Sequence, residues 1–203
     1  MSWIQLQGLP YMNWVLLLMT ATICAASDGN STSTKLTGFP GRQSTLLSPN
    51  GKYLLINVDA DSETVAERLG NNHALYVMDL ASTKSVRVVE YGRSVAVAWS
   101  PSGDTLAINI HEGSSDTTCM VCRFEEKENA LIVVEQKLDQ VAAKFAGETF
   151  RQLGHQFVEA LCWISEDQLE IRIHGYNGEN EKFDAKACYL LESRTITQLG
   201  DTK

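Results

Sequence analysis

From residue 43 onward, apolar and polar residues alternate in short runs, the period of β-strands rather than of helices. Leu54, Ile56 and Val58 fall on one side of such a run, and Leu55, Asn57 and Asp59 on the other. Leu106, Ile108 and Ile110 oppose Ala107, Asn109 and His111 in the same way, and Leu169, Ile171 and Ile173 oppose Glu170, Arg172 and His174. One face of each run is aliphatic; the other becomes more charged toward the C-terminus. A second run follows each of these, at 74–80, 118–124 and 187–192, and then a third, at 85–89, 131–134 and 195–199. Runs at 95–99 and 157–163 precede the second and third sets, and a weaker one at 43–47 precedes the first. This order predicts a four-stranded antiparallel meander repeated about three times: an all-β fold of blade-like units in an open or partial propeller, with a β-sandwich as the architectural alternative. A short helical insertion interrupts the pattern between 135 and 154. There Leu138, Val141, Ala142 and Phe145 share a helix face, Gly147 supplies a stop, and Phe150 and Leu153 extend the apolar contact. A second short helix is expected over 62–69, capped by Asp61 or Ser62 and stopped by Gly70.

The turns between the paired runs repeat as well. Leu47-Ser-Pro-Asn-Gly-Lys-Tyr-Leu-Leu-Ile-Asn57 returns as Trp99-Ser-Pro-Ser-Gly-Asp-Thr-Leu-Ala-Ile-Asn109, with Ser48 and Ser100 52 positions apart. Proline presets φ, and glycine tolerates the backbone that closes the turn. A third copy starts at Trp163 but lacks both the proline and the glycine, so a divergent or shortened turn is expected. With Trp99, Ser100, Pro101, Gly103 and Asp104, and with the strand Leu75-Tyr-Val-Met-Asp79, the unit resembles the WD40-like propeller repeat of the TolB family and of the N-terminal propellers of some serine peptidases. The resemblance spans most of 43–200 and implies a blade type, not an activity. The sequence contains no peptidase segment, so no catalytic residues carry over. Trp99, Pro101, Gly103 and Trp163 are read as structural, the tryptophans as packing anchors.

Charge changes the picture at the N-terminus. All 17 basic and 25 acidic residues lie at or beyond Asp28. The run 14–26 is apolar, with small residues at Cys24 and Ala26 where a signal peptidase reads them, although no basic residue precedes it. Residues 1–26 are therefore expected to be a signal peptide or membrane anchor, 27–38 a flexible linker and 39–200 the repeat domain. This predicts a periplasmic or secreted protein, or one anchored through its N-terminus, the sole membrane contact. The length of 203 residues excludes a seven-bladed propeller and a (β/α)₈ barrel. The net charge of −8, without a basic cluster, argues against nucleic acid as a partner.

Cys119, Cys122, Cys162 and Cys188 remain after export, an even number that permits two disulfides, with buried free thiols as the plainer reading. The spacing of Cys119 and Cys122 lies in an extended apolar run with no helix start to activate a thiol and no second pair to complete a zinc site, so neither metal nor cofactor is implied. The connections after the repeated strands begin near Asp59, His111 and His174 and add Asp61, Glu63, Glu112, Asp116 and Glu179. If they emerge on one edge, they form a polar binding rim. No nucleophilic triad or phosphate loop is present in the sequence. The reading is an exported, non-enzymatic β-repeat protein that binds a protein partner or supports an envelope assembly. Blades from two copies joining in a homo-oligomer would be one way to cover open ends. The alternatives are a small hydrolase-like enzyme using His111 or His174 and a purely structural propeller remnant.

Overall fold

The computed structural model describes residues 36–59, 72–113, 115–127, 130–178 and 181–199. The expected leader, most of the linker, the helix expected over 62–69, and Asp61, Glu63 and Glu179 lie outside them. Every described residue belongs to one compact unit, Thr32–Lys203. The first blade is a separate four-stranded sheet: β2 (Thr45–Leu47), β3 (Tyr53–Val58), β4 (His73–Asp79) and β5 (Ser85–Tyr91), paired in that order. The second comprises β6 (Ser94–Trp99), β7 (Thr105–His111), β8 (Asp116–Lys127) and β9 (Ala130–Lys137). The third comprises β10 (His155–Trp163), β11 (Gln168–Asn177), β12 (Glu181–Leu190) and β13 (Thr195–Gln198). The second and third blades form one nine-stranded sheet, because β10 pairs in parallel with the start of β8, Gln156 opposite Asp116 and Phe157 opposite Thr117. The ninth strand is β1 (Thr37–Phe39), antiparallel to β6. It claims Thr37 and Gly38 from the expected linker. All other neighbouring pairs are antiparallel, and the array is open.

The repeated turns fold alike because the same residues close them. The Ser48 hydroxyl accepts the Tyr53 N–H at 2.9 Å, and the Ser100 hydroxyl accepts the Thr105 N–H at 3.2 Å. Gly51 and Gly103 then adopt φ of 69° and 76°, values that only glycine takes cheaply. Gly103 serves a second purpose. Asn50 of the first turn donates to the Ser102 carbonyl at 2.7 Å, and a Cβ on Gly103 would lie 2.7 Å from the Asn50 Cγ. In the third copy, β10 and β11 are joined by 164–167, one residue fewer than in the second.

Packing follows the parity of each strand. The aliphatic faces of the second and third blades each face the blade before. Leu106, Ile108 and Ile110 join Tyr53, Leu55, Leu75 and Val77 in a first core. Leu169, Ile171 and Ile173 join Ala98, Ala107, Cys119 and Val121 in a second. The middle blade is thus covered on both faces, and β7 is buried from Thr105 through Ile110. The outward faces differ. Leu54, Ile56 and Val58 are half-buried on the first blade and Leu47 is 54% exposed. On the third blade, Glu170, Arg172 and His174 are half-buried, the wet terminal face expected from their charge.

Helix α1 (Asp139–Arg151) fills the insertion and is interrupted at Gly147, with φ 78° and ψ −163°. Leu138, Ala142, Phe150 and Leu153 are buried in the second core, which explains why the apolar spacing resumes past the glycine.

Candidate functional site

Of the expected rim, Asp59, His111, Glu112, Asp116 and His174 lie among the described residues. His111 and His174 do share one row of the nine-stranded sheet, His111–Thr117–Phe157–His174–Asp184, each opposite the next. Three strand spacings separate the two histidines, on the order of 14 Å. Asp59 belongs to the separate first sheet, where it builds its own cluster. It accepts Asn57 Nδ2 at 2.7 Å and contacts His73 Nδ1 at 3.1 Å. The His73 ring stacks on Tyr91 at 5.1 Å, and the Tyr91 hydroxyl donates to Asn57 Oδ1. Burial raises the Tyr91 pKa, and the nearby Asp59 charge raises it further. Tyr91 therefore stays a neutral donor at ordinary pH.

At the second position, His111 Nδ1 lies 3.0 Å from the Thr117 hydroxyl. Glu112 is exposed in the following turn. Asp116 borders a small cavity of about 140 Å³, also lined by Thr117, Asp139, Phe150 and Gln156. Burial raises the Asp139 pKa; Lys137 counters it and Glu112 adds to it.

The third position carries a cluster that residue-by-residue reading missed. His174 stacks on Phe157 at 4.7 Å and 9°, and its Nε2 lies 3.2 Å from Glu159 Oε2. His155 stacks on Tyr176 at 4.4 Å and 15°, and Tyr176 is 37% exposed. Phe157 and Tyr176 are 6.1 Å apart, so four rings run continuously at one end of the outward face. Gly175 permits the close approach of β10, since a Cβ there would sit 2.4 Å from the His155 carbonyl oxygen. Along the same face, Arg172 donates to both Asp184 oxygens at 2.9 and 2.6 Å, and Lys186 pairs with Glu170 at 3.2 Å. The signal for this cluster was period-two parity, which puts Phe157, Glu159, His174 and Tyr176 on one face once β10 and β11 are paired.

The two disulfides that the cysteine count permits do not form among Cys119, Cys122, Cys162 and Cys188. Cys119 and Cys122 are three apart on a strand and so point to opposite faces, one into each core. Burial pushes the Cys119 thiol up to about 12 and raises the Cys122 thiol as well, which makes both inert. Cys162 and Cys188 both lie opposite Glu170, on strands either side of it. Among the described residues, no group of three His, Cys, Asp or Glu side chains is placed to hold a metal ion. No helix among them is long and apolar enough to cross a membrane.

Trp163 lies buried in the second core, and its indole donates to the Ala98 carbonyl at 3.0 Å. Trp99 stacks near Tyr53 at 6.2 Å and meets Phe124 tilted at 5.6 Å, and its indole nitrogen has no acceptor among the described residues. Pro101 and Gly103 sit in the second repeated turn.

Four-stranded antiparallel units stacked face to face, the first two turns closed by the same serine and glycine, define a β-propeller type of repeat protein with an open array. The chain belongs to the eukaryotic translation initiation factor eIF2A family, whose model matches residues 44–148, just over half its length and both of the first two blades. Among solved structures, it is similar to the β-propeller domain of the Trilobed protease from Pyrococcus furiosus, described as having an open velcro topology. Sequence identity is 16% and the TM-score 0.44, over 77% of this chain and 42% of that one. The chain thus spans about two fifths of that structure's length. The comparison with curated proteins found no match.

Proposed function

We propose that the chain is a non-enzymatic protein-binding module that contributes a blade surface to an assembly of the translation initiation machinery. The observation that carries this reading is the row from His111 to His174, continuous with the ring cluster of Phe157, Tyr176 and His155. Its histidines are engaged rather than poised: His111 contacts Thr117, and His174 is held between Phe157 and Glu159. Partly exposed rings beside paired charges suit a protein contact with an aromatic centre and a polar rim. Membership of an initiation-factor family supports that setting for the partner. The test is crosslinking and affinity capture with the full chain, comparing it with the variant His111→Ala, His174→Ala, Tyr176→Ala. Loss of captured initiation components with folding intact supports the reading; unchanged capture contradicts it.

A second reading keeps the protein-binding role but places the protein outside the cytoplasm, in an envelope assembly. The uncharged apolar run 14–26 favours it. Sequencing the N-terminus of the mature protein decides between the two. A new terminus near residue 27 supports export, and an intact leader contradicts cleavage. The TolB-type resemblance of the repeats fits either setting, since it describes the blade and not its partner.

A further inference from the structure

Strand β1 pairs with β6 over only three positions, Thr37 with Val97, Gly38 with Ala96 and Phe39 with Val95. Its side chains nevertheless reach two different cores. Phe39 is 1% exposed within the core between the first and second blades, whereas Leu36 packs against the core between the second and third. The alternation of an extended chain explains this, because Val95 and Val97 face the first blade and Ala98 faces the third. The chain then turns away sharply, with Gly41 so close to Gly38 that a Cβ would lie 2.8 Å from the Gly38 carbonyl oxygen. Residues 40–44 are all exposed and join β1 to β2. Thus β1 can leave without unpairing any strand of a blade. Among the described residues, the first strand of the first blade, β2, has no strand on its outer edge, and that of the third, β10, meets β8 over two positions.

We infer that the edge of β6 is a strand-acceptor site, held in cis by Leu36–Phe39, which takes an extended segment of a partner protein bearing an aromatic residue three positions after an aliphatic one. Main-chain pairing to β6 would supply affinity, and the two core entrances would supply specificity, the logic of β-strand addition. The cis strand then acts as a built-in competitor that lowers the apparent affinity of every weaker segment. The inference rests on the protein-binding reading and names a second surface for it.

The probe is a fluorescent peptide spanning residues 34–41. Its binding is measured by anisotropy to the full wild-type chain and to the full-chain variant Leu36→Ala, Phe39→Ala. The variant, with its own strand weakened, is expected to bind the peptide at least tenfold more tightly than wild type. A peptide with alanine in place of its phenylalanine is expected to bind neither. Equal binding by both chains, or none by the folded variant, overturns the inference. Hydrogen exchange of the wild-type chain keeps the test decisive should the variant fail to fold. The Thr37 and Phe39 amides must exchange at least tenfold faster than those of Ile108 and Ile171. Exchange at the rate of the core overturns it, as does concentration-dependent dimerisation by strand exchange without peptide capture. Failure here with rim-dependent capture intact leaves the protein-binding reading standing; loss of that capture with peptide binding intact strikes the rim reading alone.

Discussion

The two seams between blades are built from the same repeat and closed by different chemistry. The first seam is apolar in its interior, its hydrogen bond from Asn50 to Ser102 lying at the exposed turns. Tyr53, Trp99 and Phe124 form a triangle of rings with centroids 5.6 to 6.2 Å apart, and the Trp99 indole N–H points at no acceptor among the described residues. The second seam adds a polar clamp. Asn109 donates to the Ala160 carbonyl at 2.9 Å and accepts the Ala160 N–H at 2.7 Å, and Trp163 reaches back to Ala98. Asn57 is the repeat counterpart of Asn109, yet it turns to Tyr91 and Asp59 instead. Arg172 is the third counterpart, and it pairs within its own blade. One position of the repeat therefore clamps a seam, anchors a rim cluster or decorates an open face, depending on what packs beside it.

Removing the clamp should produce the largest difference between the seams. Asn109→Ala leaves a buried backbone donor and acceptor unsatisfied, and we expect a loss of about 2–4 kcal/mol in denaturant unfolding. Asn57→Ala should cost about 1–2 kcal/mol, because one of its two side-chain partners, Asp59, is exposed. Equal losses would erase the distinction between them.

Acid should separate the buried from the exposed carboxylates. Burial works to raise the Asp79 pKa, but the N–H groups of Ser82 and Ala81, together with Lys52, hold it below the ordinary carboxylate value. Arg172 lowers that of Asp184 at the surface. Each folded value is depressed, so each contribution is complete above the unfolded carboxylate value of about 3.9 and is lost as pH falls through the folded one. Asp79 is 2% exposed, so Asp79→Asn should remove more of the acid dependence than Asp184→Asn, as read from unfolding free energies between pH 5 and about 2. The smallest effect is expected at the open face. Arg172→Ala should cost less than about 1 kcal/mol, because the pair is solvent-exposed, and salt should reduce the effect further.

Much of this was legible from parity. Alternation gave the three meanders and their aliphatic faces, and the charge on Glu170 and Arg172 marked the outward face of the third blade. The repeated serine, proline and glycine gave the turns, while the spacing of Leu138, Ala142 and Phe150 gave the helix and its contact. Long-range pairing was not legible. Nothing local states that β10 would lie beside β8, so the row linking His111 to His174 through Thr117 and Phe157 could not be drawn. The Asp59 cluster depends on His73 and Tyr91, which approach only through strand pairing. Thr37 and Gly38 of strand β1 fall in the expected linker because three residues carry too little period to register. The cysteines show the converse: an even count invited disulfides, whereas their separation by three on a strand already turned two of them to opposite faces.

The central claim, that one repeat closes the interior of one seam with apolar contact and of the next with a polar clamp, is tested most directly by two substitutions at equivalent positions. Trp163→Phe removes a buried side-chain hydrogen bond to the Ala98 carbonyl, whereas Trp99→Phe removes a donor with no acceptor among the described residues. Urea unfolding should show a loss of about 1 kcal/mol beyond the packing difference for Trp163→Phe and no such additional loss for Trp99→Phe. Equal losses at the two tryptophans, or a larger one at Trp99, would contradict the account.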